Sequence, residues 1–307
     1  GHQGEYKIVD LSRAMSLFHS ALTSDDIEVP EGYYEEEQIK ITVVPNRNAI
    51  FASILYGYAL SVSHREDCDV DIAMGVHSGD HAIYPDCRPE FYSAIAGAFA
   101  LGNWGSDRVS FHLPYIDGDK ETILRDALES CSVLNLDFET IFENTLSSYN
   151  PDSEGRASGT SGADIERILA FHALGREDPI EYTKPWKDVL QGALNSQLRF
   201  HVMKQNGTEQ AFSGEFDKHF EDGVYRCADC SKQLFESDMK YDSGCGWPSF
   251  NREISDAKIR RIEDHSHGMI RVELRCSKCD SHLGHVFSES KGERYCINSI
   301  CLEFTGE

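Results

Sequence analysis

Four cysteines near the end of this chain restrict its fold more than any other feature. Cys227-x-x-Cys230 and Cys276-x-x-Cys279 form two knuckles with the spacing of one structural zinc site. A site closed by four cysteines leaves no open position for water, so its metal serves architecture and not turnover. Between and after the knuckles lie Gly244-Cys245-Gly246-Trp247-Pro248-Ser249-Phe250, His282-Leu283-Gly284-His285-Val286-Phe287 and Arg294-Tyr295-Cys296-Ile297-Asn298-Ser299. With four cysteines assigned to metal, Cys245 and Cys296 are left as a candidate redox pair. A lone buried cysteine is ordinarily an inert small hydrophobe. Here Arg294 and the neighbouring histidines are placed to stabilise a thiolate, which favours chemistry.

The 307 residues are enough for two domains with sizeable cores. Acidic residues outnumber basic ones by 52 to 29, a formal charge of −23, which argues against a nucleic-acid partner held by phosphate contacts. The charge is uneven. Residues 1–197 hold 14 basic and 33 acidic side chains, residues 198–307 hold 15 and 19, as expected of two domains of different origin. No apolar run approaches the roughly 20 residues of a membrane helix, and the first residues carry no signal-peptide pattern. Seven of the ten cysteines fall in the last 81 residues, mostly as CxxC, which points to metal and catalysis in a reducing compartment, the cytoplasm by default.

The first domain reads as alternating helices and strands. A weakly helical pattern covers Leu11–Thr23, and the acidic stretch 32–38 reads as solvated. Ile41–Asn48 reads as an extended piece ending in a polar loop, and Ala49–Val62 as a largely apolar helix. Asp69–Val76 reads as a buried strand running into the polar loop His77–Phe91; Phe91–Leu101, Lys120–Ser130 and Ile168–Leu174 read as helices and Val109–Leu113 as a strand. This alternation predicts an open α/β sheet with helices on both faces and ligands beyond the carboxyl ends of its strands. A helix over Val189–Leu198 leads into the second domain, with the boundary near residue 190: domains 1–190 and 191–307. Beyond Phe200 short strands and turns predict a mainly antiparallel β domain containing the zinc knuckles.

From about Phe200 to Phe304 the chain resembles the B class of methionine sulfoxide reductases, which reduce the R epimer of methionine sulfoxide. The resemblance rests on the blocks quoted above with Phe212-Ser213-Gly214-Glu215 and Ser266-His267-Gly268-Met269. It implies two antiparallel sheets pinned by zinc, one ion per chain on Cys227, Cys230, Cys276 and Cys279. It further implies Cys296 as the nucleophile, passing through a sulfenic acid, with His282, His285, Arg294 and Asn298 completing the site. Trp247 matches the aromatic that packs the substrate's methyl group, and Phe287 stands with it as a substrate contact. Cys245 matches the resolving cysteine, whose disulfide a thioredoxin-like dithiol would reduce. Cys301 reads as an inert thiol, and Cys68, Cys87 and Cys131 carry no redox assignment.

Most of residues 6–182 resemble 7-cyano-7-deazaguanine synthase, an ATP-dependent enzyme of queuosine-precursor synthesis with an adenine-nucleotide α-hydrolase-like fold. Val44–Asn48, Gly75–His77, Tyr84–Phe91, Pro114–Asp117 and Ile168–Phe171 carry this resemblance, Tyr84–Phe91 most specifically. Two departures mark the domain as degenerate or incomplete. No Ser-Gly-Gly-x-Asp-Ser loop to cradle pyrophosphate occurs in residues 1–50. The positions matching the family's four zinc cysteines are Ser148, Ser158, Ser161 and Asp164, and serine hydroxyls are poor zinc ligands. The expectation is a binding or structural domain in which Arg47, Asn48, Asp86 and Arg88 form the candidate ligand site. The alternative is a bifunctional protein in which an upstream segment restores the synthase.

Overall fold

The computed structural model describes residues 6–24, 26–33, 37–290 and 292–306. The chain divides into two compact units, up to Ala193 and from Leu194 onwards.

The described helices of the first unit are α1 (Ser12–Met15), α2 (Arg47–Glu66), α3 (Pro89–Gly102), α4 (Lys120–Leu134), α5 (Phe138–Glu143) and α6 (Gly162–Ala173); α7 (Trp186–Gln205) contains the division. Local chemistry sets several starts. Pro89 opens α3, where its missing N–H has no helical partner to lose. Asp119, Asp137 and Ser161 accept hydrogen bonds from the backbone N–H groups of Thr122, Thr140 and Asp164, capping α4, α5 and α6. Strands β1 (Val70–Ala73) and β2 (Val109–His112) pair in parallel, Val70 opposite Val109, with α3 in the crossover between them. Ile72 and Val109 bury against Tyr56 and Ala59 of α2.

The open α/β reading holds, and among the described residues its sheet comprises the two strands β1 and β2. Two other expectations change here. Ile41–Asn48 is not extended: Glu37–Thr42 forms a 3-10 turn, and Arg47 and Asn48 already belong to α2. The β-branched run suggests a strand, but packing overrides it: Ile39, Thr42 and Val44 are each buried, and the Thr42 hydroxyl lies 2.6 Å from the Tyr84 hydroxyl. Within Leu11–Thr23, only Ser12–Met15 is helical. The acidic stretch 32–38 lies partly outside the described residues.

The second unit is antiparallel β. Its strands are β3 (Gly223–Cys227), β4 (Gln233–Glu236), β5 (Lys240–Tyr241), β6 (Ser249–Phe250), β7 (Arg260–Asp264), β8 (Arg271–Arg275), β9 (His282–Glu289), β10 (Gly292–Ile297) and β11 (Leu302–Gly306). They form a six-stranded sheet in the order β5-β6-β10-β9-β8-β7 and a three-stranded sheet in the order β11-β3-β4. Tyr225, Leu234, Phe235, Phe250, Leu274 and Leu283 are fully buried in its core. Phe235 stacks on Phe250 at 4.1 Å between centroids, and Tyr225 meets Phe250 edge-on at 5.2 Å. Burying side chains of this size contributes about 1.5–3 kcal/mol each relative to exposure.

Register positions the site. One rung crosses the larger sheet from Tyr241 through Ser249, Cys296, His285 and Glu273 to Ile262. Side chains two residues apart on a strand share a face, so Arg294, Phe287, Arg271 and Asp264 stand on the same side as this rung. Tyr295, Val286 and Leu274 alternate to the other side and are buried in the core. A register shift moves β9 by one residue, from Leu274 opposite Gly284 to Arg275 opposite His282. The irregularity turns His282 toward the face of Glu273 and His285.

Candidate active site and thiolate cluster

Each knuckle is one copy of the same turn. Cys227 N–H donates to the Lys232 carbonyl and Ser231 N–H to the Cys227 carbonyl, both at 2.8 Å; Cys276 and Asp280 repeat the pattern at 2.9 Å. Ser231 and Asp280 take left-handed backbone angles, φ 58° and 62°, which turn the chain back after the second cysteine. Cys227 Sγ lies 3.6 Å from Cys279 Sγ, and Cys230 Sγ lies 3.5 Å from Cys276 Sγ. All four sulfurs fall within 4.8 Å of one another. Four thiolates about 2.3 Å from one tetrahedral ion would stand roughly 3.8 Å apart, so the donor set fits a single metal in number, type and spacing.

The second cluster is a dithiol beside a cavity. Cys245 Sγ and Cys296 Sγ are 3.8 Å apart. The Ser243 hydroxyl donates to Cys245 Sγ at 3.0 Å, and the Ser249 hydroxyl lies 3.5 Å from it. Burial raises the Cys245 thiol, but these hydroxyls and further hydrogen bonds outweigh it and hold the group below the ordinary thiol range. Burial and the neighbouring Cys245 push Cys296 up to about 12, against the opposing pull of Arg294. Cys245 is therefore the more acidic thiol of the pair.

The cavity, of about 120 Å³, is lined by Trp247, Arg271, His285, Phe287, Cys296 and Asn298, together with Thr208 and Gly284. Trp247 is fixed by an indole N–H donated to the Glu209 carbonyl at 3.2 Å. Asn298 is buried, donating to the Leu283 carbonyl at 3.2 Å and accepting from Glu209 N–H at 3.1 Å. The Arg294 guanidinium lies 4.8 Å from the Phe287 ring centre and donates from Nε to Glu289 at 2.5 Å. His285 Nε2 lies 2.9 Å from Asp264 Oδ2. His282 is buried beneath His285, ring centres 5.5 Å apart, with Nδ1 2.6 Å from Glu273. Burial lowers the His282 pKa despite that carboxylate. Arg294 and His282 support the walls from outside the lining set, whereas His285 belongs to it.

Sequence reasoning missed Asp264, Arg271, Glu273 and Glu209. The carboxylate of Glu209 is buried and accepts the backbone N–H groups of Ser299 and, at 3.0 Å, Ile300, anchoring the turn after the reactive strand. Glu273 and Arg271 come from an alternating strand that reads as ordinary sheet, and only register brings them to Cys296. Cys301 is fully buried, its thiol 3.4 Å from the His282 carbonyl, and burial raises its pKa.

In the first unit, Asn48 N–H donates to Asp86 Oδ2 at 3.2 Å, and Asn48 Nδ2 donates to the Asp86 carbonyl and Cys87 Sγ at 3.3 and 3.2 Å. Arg47 lies 5.3 Å from the Tyr84 ring centre. Arg88 is exposed and turned to the His81 carbonyl at 2.8 Å, so three of the four candidate ligand residues cluster and the fourth stands apart. Ser148, Ser158, Ser161 and Asp164 do converge. The Ser148 and Ser158 hydroxyls each donate to Asp164 Oδ2 at 3.0 Å, Gly159 N–H donates at 3.1 Å, and Asp164 N–H donates to Ser161 Oγ at 3.2 Å. The Asp164 carboxylate thus joins Ser148 and Ser158, and its backbone N–H reaches Ser161. A further group, His77 with Asp80 and Glu166, lies nearby, with the Lys120 ammonium bonded to Glu166 and supplying positive charge there.

An antiparallel β unit with a four-thiolate cluster and a separate dithiol cavity defines a thiol-based class of protein, here preceded by an α/β unit. Residues 195–306 match the SelR domain model and residues 2–175 match the model of the queuosine biosynthesis protein QueC, and the chain belongs to both families. It is 48% identical over 132 residues to a peptide methionine sulfoxide reductase MsrB of Synechococcus sp., spanning 42% of this chain and 93% of that protein. The Escherichia coli protein of the same name is 50% identical over 125 residues, 40% of this chain and 90% of its own length. A solved Mis18 'Yippee-like' domain aligns with 28% of the chain and 98% of its own length at 14% identity and a TM-score of 0.25, too faint a likeness to define the fold. No helix among the described residues is long and apolar enough to cross a membrane.

Proposed function

We propose that the second unit reduces methionine-R-sulfoxide, free or in proteins, to methionine. The observation that carries this reading is the 3.8 Å Cys245–Cys296 pair at the edge of a cavity small enough for a methyl sulfoxide. Trp247 and Phe287 offer apolar faces to the substrate's methyl group, and Asn298 and His285 offer polar contacts to its oxygen. Cys296 Sγ attacks the sulfoxide sulfur as its oxygen gains a proton; methionine leaves, and Cys296 retains the oxygen as a sulfenic acid. Cys245 Sγ then attacks that sulfur, forming a disulfide and releasing water, and a thioredoxin-like dithiol reduces the disulfide. Arg294, two residues before Cys296 on the same strand, lowers the cost of the Cys296 thiolate.

Cys227, Cys230, Cys276 and Cys279 would hold one zinc ion, which when bound supplies structural cross-linking only. Free thiols in this number suit a reducing, cytoplasmic compartment. Acidic charge supports neither nucleic-acid nor anionic-membrane binding. The test is Cys296→Ser: reduction of the R epimer should vanish while metal content and β structure persist, and substantial remaining activity refutes the assignment.

A second reading is a bifunctional protein whose first unit makes a deazapurine nitrile with ATP, and the match over residues 2–175 favours it. Against it for this 307-residue chain stand the missing Ser-Gly-Gly-x-Asp-Ser loop and the serines at the matched cysteine positions. Incubation with ATP, 7-carboxy-7-deazaguanine and ammonia should leave no nitrile above background; its formation establishes the second reading.

A further inference from the structure

We propose that Asp264 is a positioning residue for the proton donor of the reductase: it holds His285 as the Nε2–H tautomer and stabilises its imidazolium, leaving Nδ1 to deliver the proton to the sulfoxide oxygen. The inference rests on the reductase reading above. Its geometry is a carboxylate with every major contact accounted for. Asp264 Oδ1 accepts the Ser266 backbone N–H at 2.8 Å, which fixes the side chain across its own turn. Oδ2 accepts Arg271 Nη2 at 2.6 Å and lies 2.9 Å from His285 Nε2. Both His285 and Arg271 line the cavity that exposes Cys296.

Hydrogen bonds from the Ser266 backbone and hydroxyl, joined by those from His285 and Arg271, hold the Asp264 carboxyl well below the usual carboxylate range against its burial. An ionised carboxylate only accepts, so the hydrogen between it and His285 belongs to Nε2. The other ring nitrogen, Nδ1, is then the one that exchanges protons. All charged or titratable neighbours of His285 bear on its protonation. From β7 comes Asp264; from β8 come Arg271 and, directly across the rung, Glu273; from β9 itself comes His282; from β10 comes Cys296, its other rung partner. Glu273 is committed to His282 at 2.6 Å and to Arg275 at 3.0 Å, so Asp264 is the carboxylate bonded to His285.

The step balances. As the Cys296 thiolate attacks the sulfoxide sulfur, the substrate S–O bond breaks and a Cys296 S–O bond forms, so the substrate sulfur leaves as the thioether of methionine having gained two electrons and Cys296 has lost two. The proton on His285 Nδ1 passes to that oxygen, giving Cys296–SOH, methionine and neutral His285. The Cys296 thiol proton restores the imidazolium in the next cycle.

The experiment measures methionine released in the first turnover, without reductant, from a peptide carrying R-sulfoxide, as a function of pH, in the native chain and in Asp264→Asn. Asn keeps an acceptor for Ser266 N–H but removes the charge. The expected result is a rate about 10²-fold lower at neutral pH. The acid-requiring limb of the profile should also move to lower pH, the direction set by losing an opposite charge. Asp264→Glu should restore part of the native profile. An unshifted profile, even with a uniformly lower rate, overturns the proposal and leaves the reductase reading standing. Absence of methionine release from the native chain overturns both. Nitrogen NMR of the native chain is independent of whether the variants fold: His285 protonated on Nδ1 and bare on Nε2 overturns the proposal, and the reverse supports it.

Discussion

At the scale of single residues, the two reactive thiols differ in acidity for reasons visible in their neighbours. Cys245 accepts the Ser243 hydroxyl at 3.0 Å and lies 3.5 Å from the Ser249 hydroxyl, whereas Cys296, half-buried on its strand beside Cys245, is pushed up to about 12. Iodoacetamide applied to the reduced chain near pH 8 should therefore modify Cys245 first, because Cys296 would then be only about one part in 10⁴ thiolate. Ser243→Ala removes a bond made to the charged form, so the Cys245 pKa rises and its alkylation midpoint moves to higher pH. Peptide mapping of the first label checks both points, and initial modification at Cys296 contradicts the charge assignment. Substrate must in turn shift the proton distribution so that Cys296 can attack, a task for which Arg294 lies close.

At the scale of elements, strand register assembles the site, and one glycine permits it. Gly284 has φ 155°, and a Cβ there would fall 2.0 Å from the Cys296 carbonyl oxygen. That oxygen belongs to the backbone of the reactive strand and cannot rotate away. Gly284→Ala should force β9 from β10, lower stability by at least about 1–3 kcal/mol and impair first-turnover reduction. Urea unfolding is the measurement; an unchanged midpoint with full activity shows that the strands have room to spare. The same dependence on register explains what the sequence could disclose. Cys227-x-x-Cys230, Cys276-x-x-Cys279 and the block around Cys296 are local patterns, so their chemistry could be read before any fold. Strand pairing brings Asp264, Arg271 and Glu273 to the site around Cys296, and Glu209 meets the backbone of Ser299 and Ile300 from a loop far upstream; none carries a local signature. In the first unit, Ile41-Thr42-Val43-Val44 has strand composition, yet burial of individual side chains bends Glu37–Thr42 into a turn. The alternation around β1 and β2 identified the α/β unit and the two strands of its described sheet.

At the scale of the whole molecule, the two units have separate cores and different chemistry at their cysteine-matched positions. In the second unit Cys227 ends β3 of the smaller sheet, while Cys276 follows β8 of the larger one, so the four-thiolate cluster ties the sheets together. Structural zinc in small domains contributes on the order of 10 kcal/mol, comparable with the whole stability of a domain this size. Chelation should therefore unfold the second unit. In the first, the Ser148 and Ser158 hydroxyls and Gly159 N–H bond to the buried Asp164 carboxylate, and core clusters such as Ile165, Ile168, Val189 and Ala193 need no ion. Hydrogen exchange after chelation should thus show loss of protection from about residue 200 onwards and retention in α6, and elemental analysis of the native chain should give about one zinc. The convergence of Ser148, Ser158, Ser161 and Asp164 allows a gain-of-function test of the same account. Converting all four to cysteine places thiolates where hydroxyls and one carboxylate now meet, and zinc content should rise to about two. A native content of two, or a chelated chain with undiminished protection in β8–β10, contradicts this division of labour.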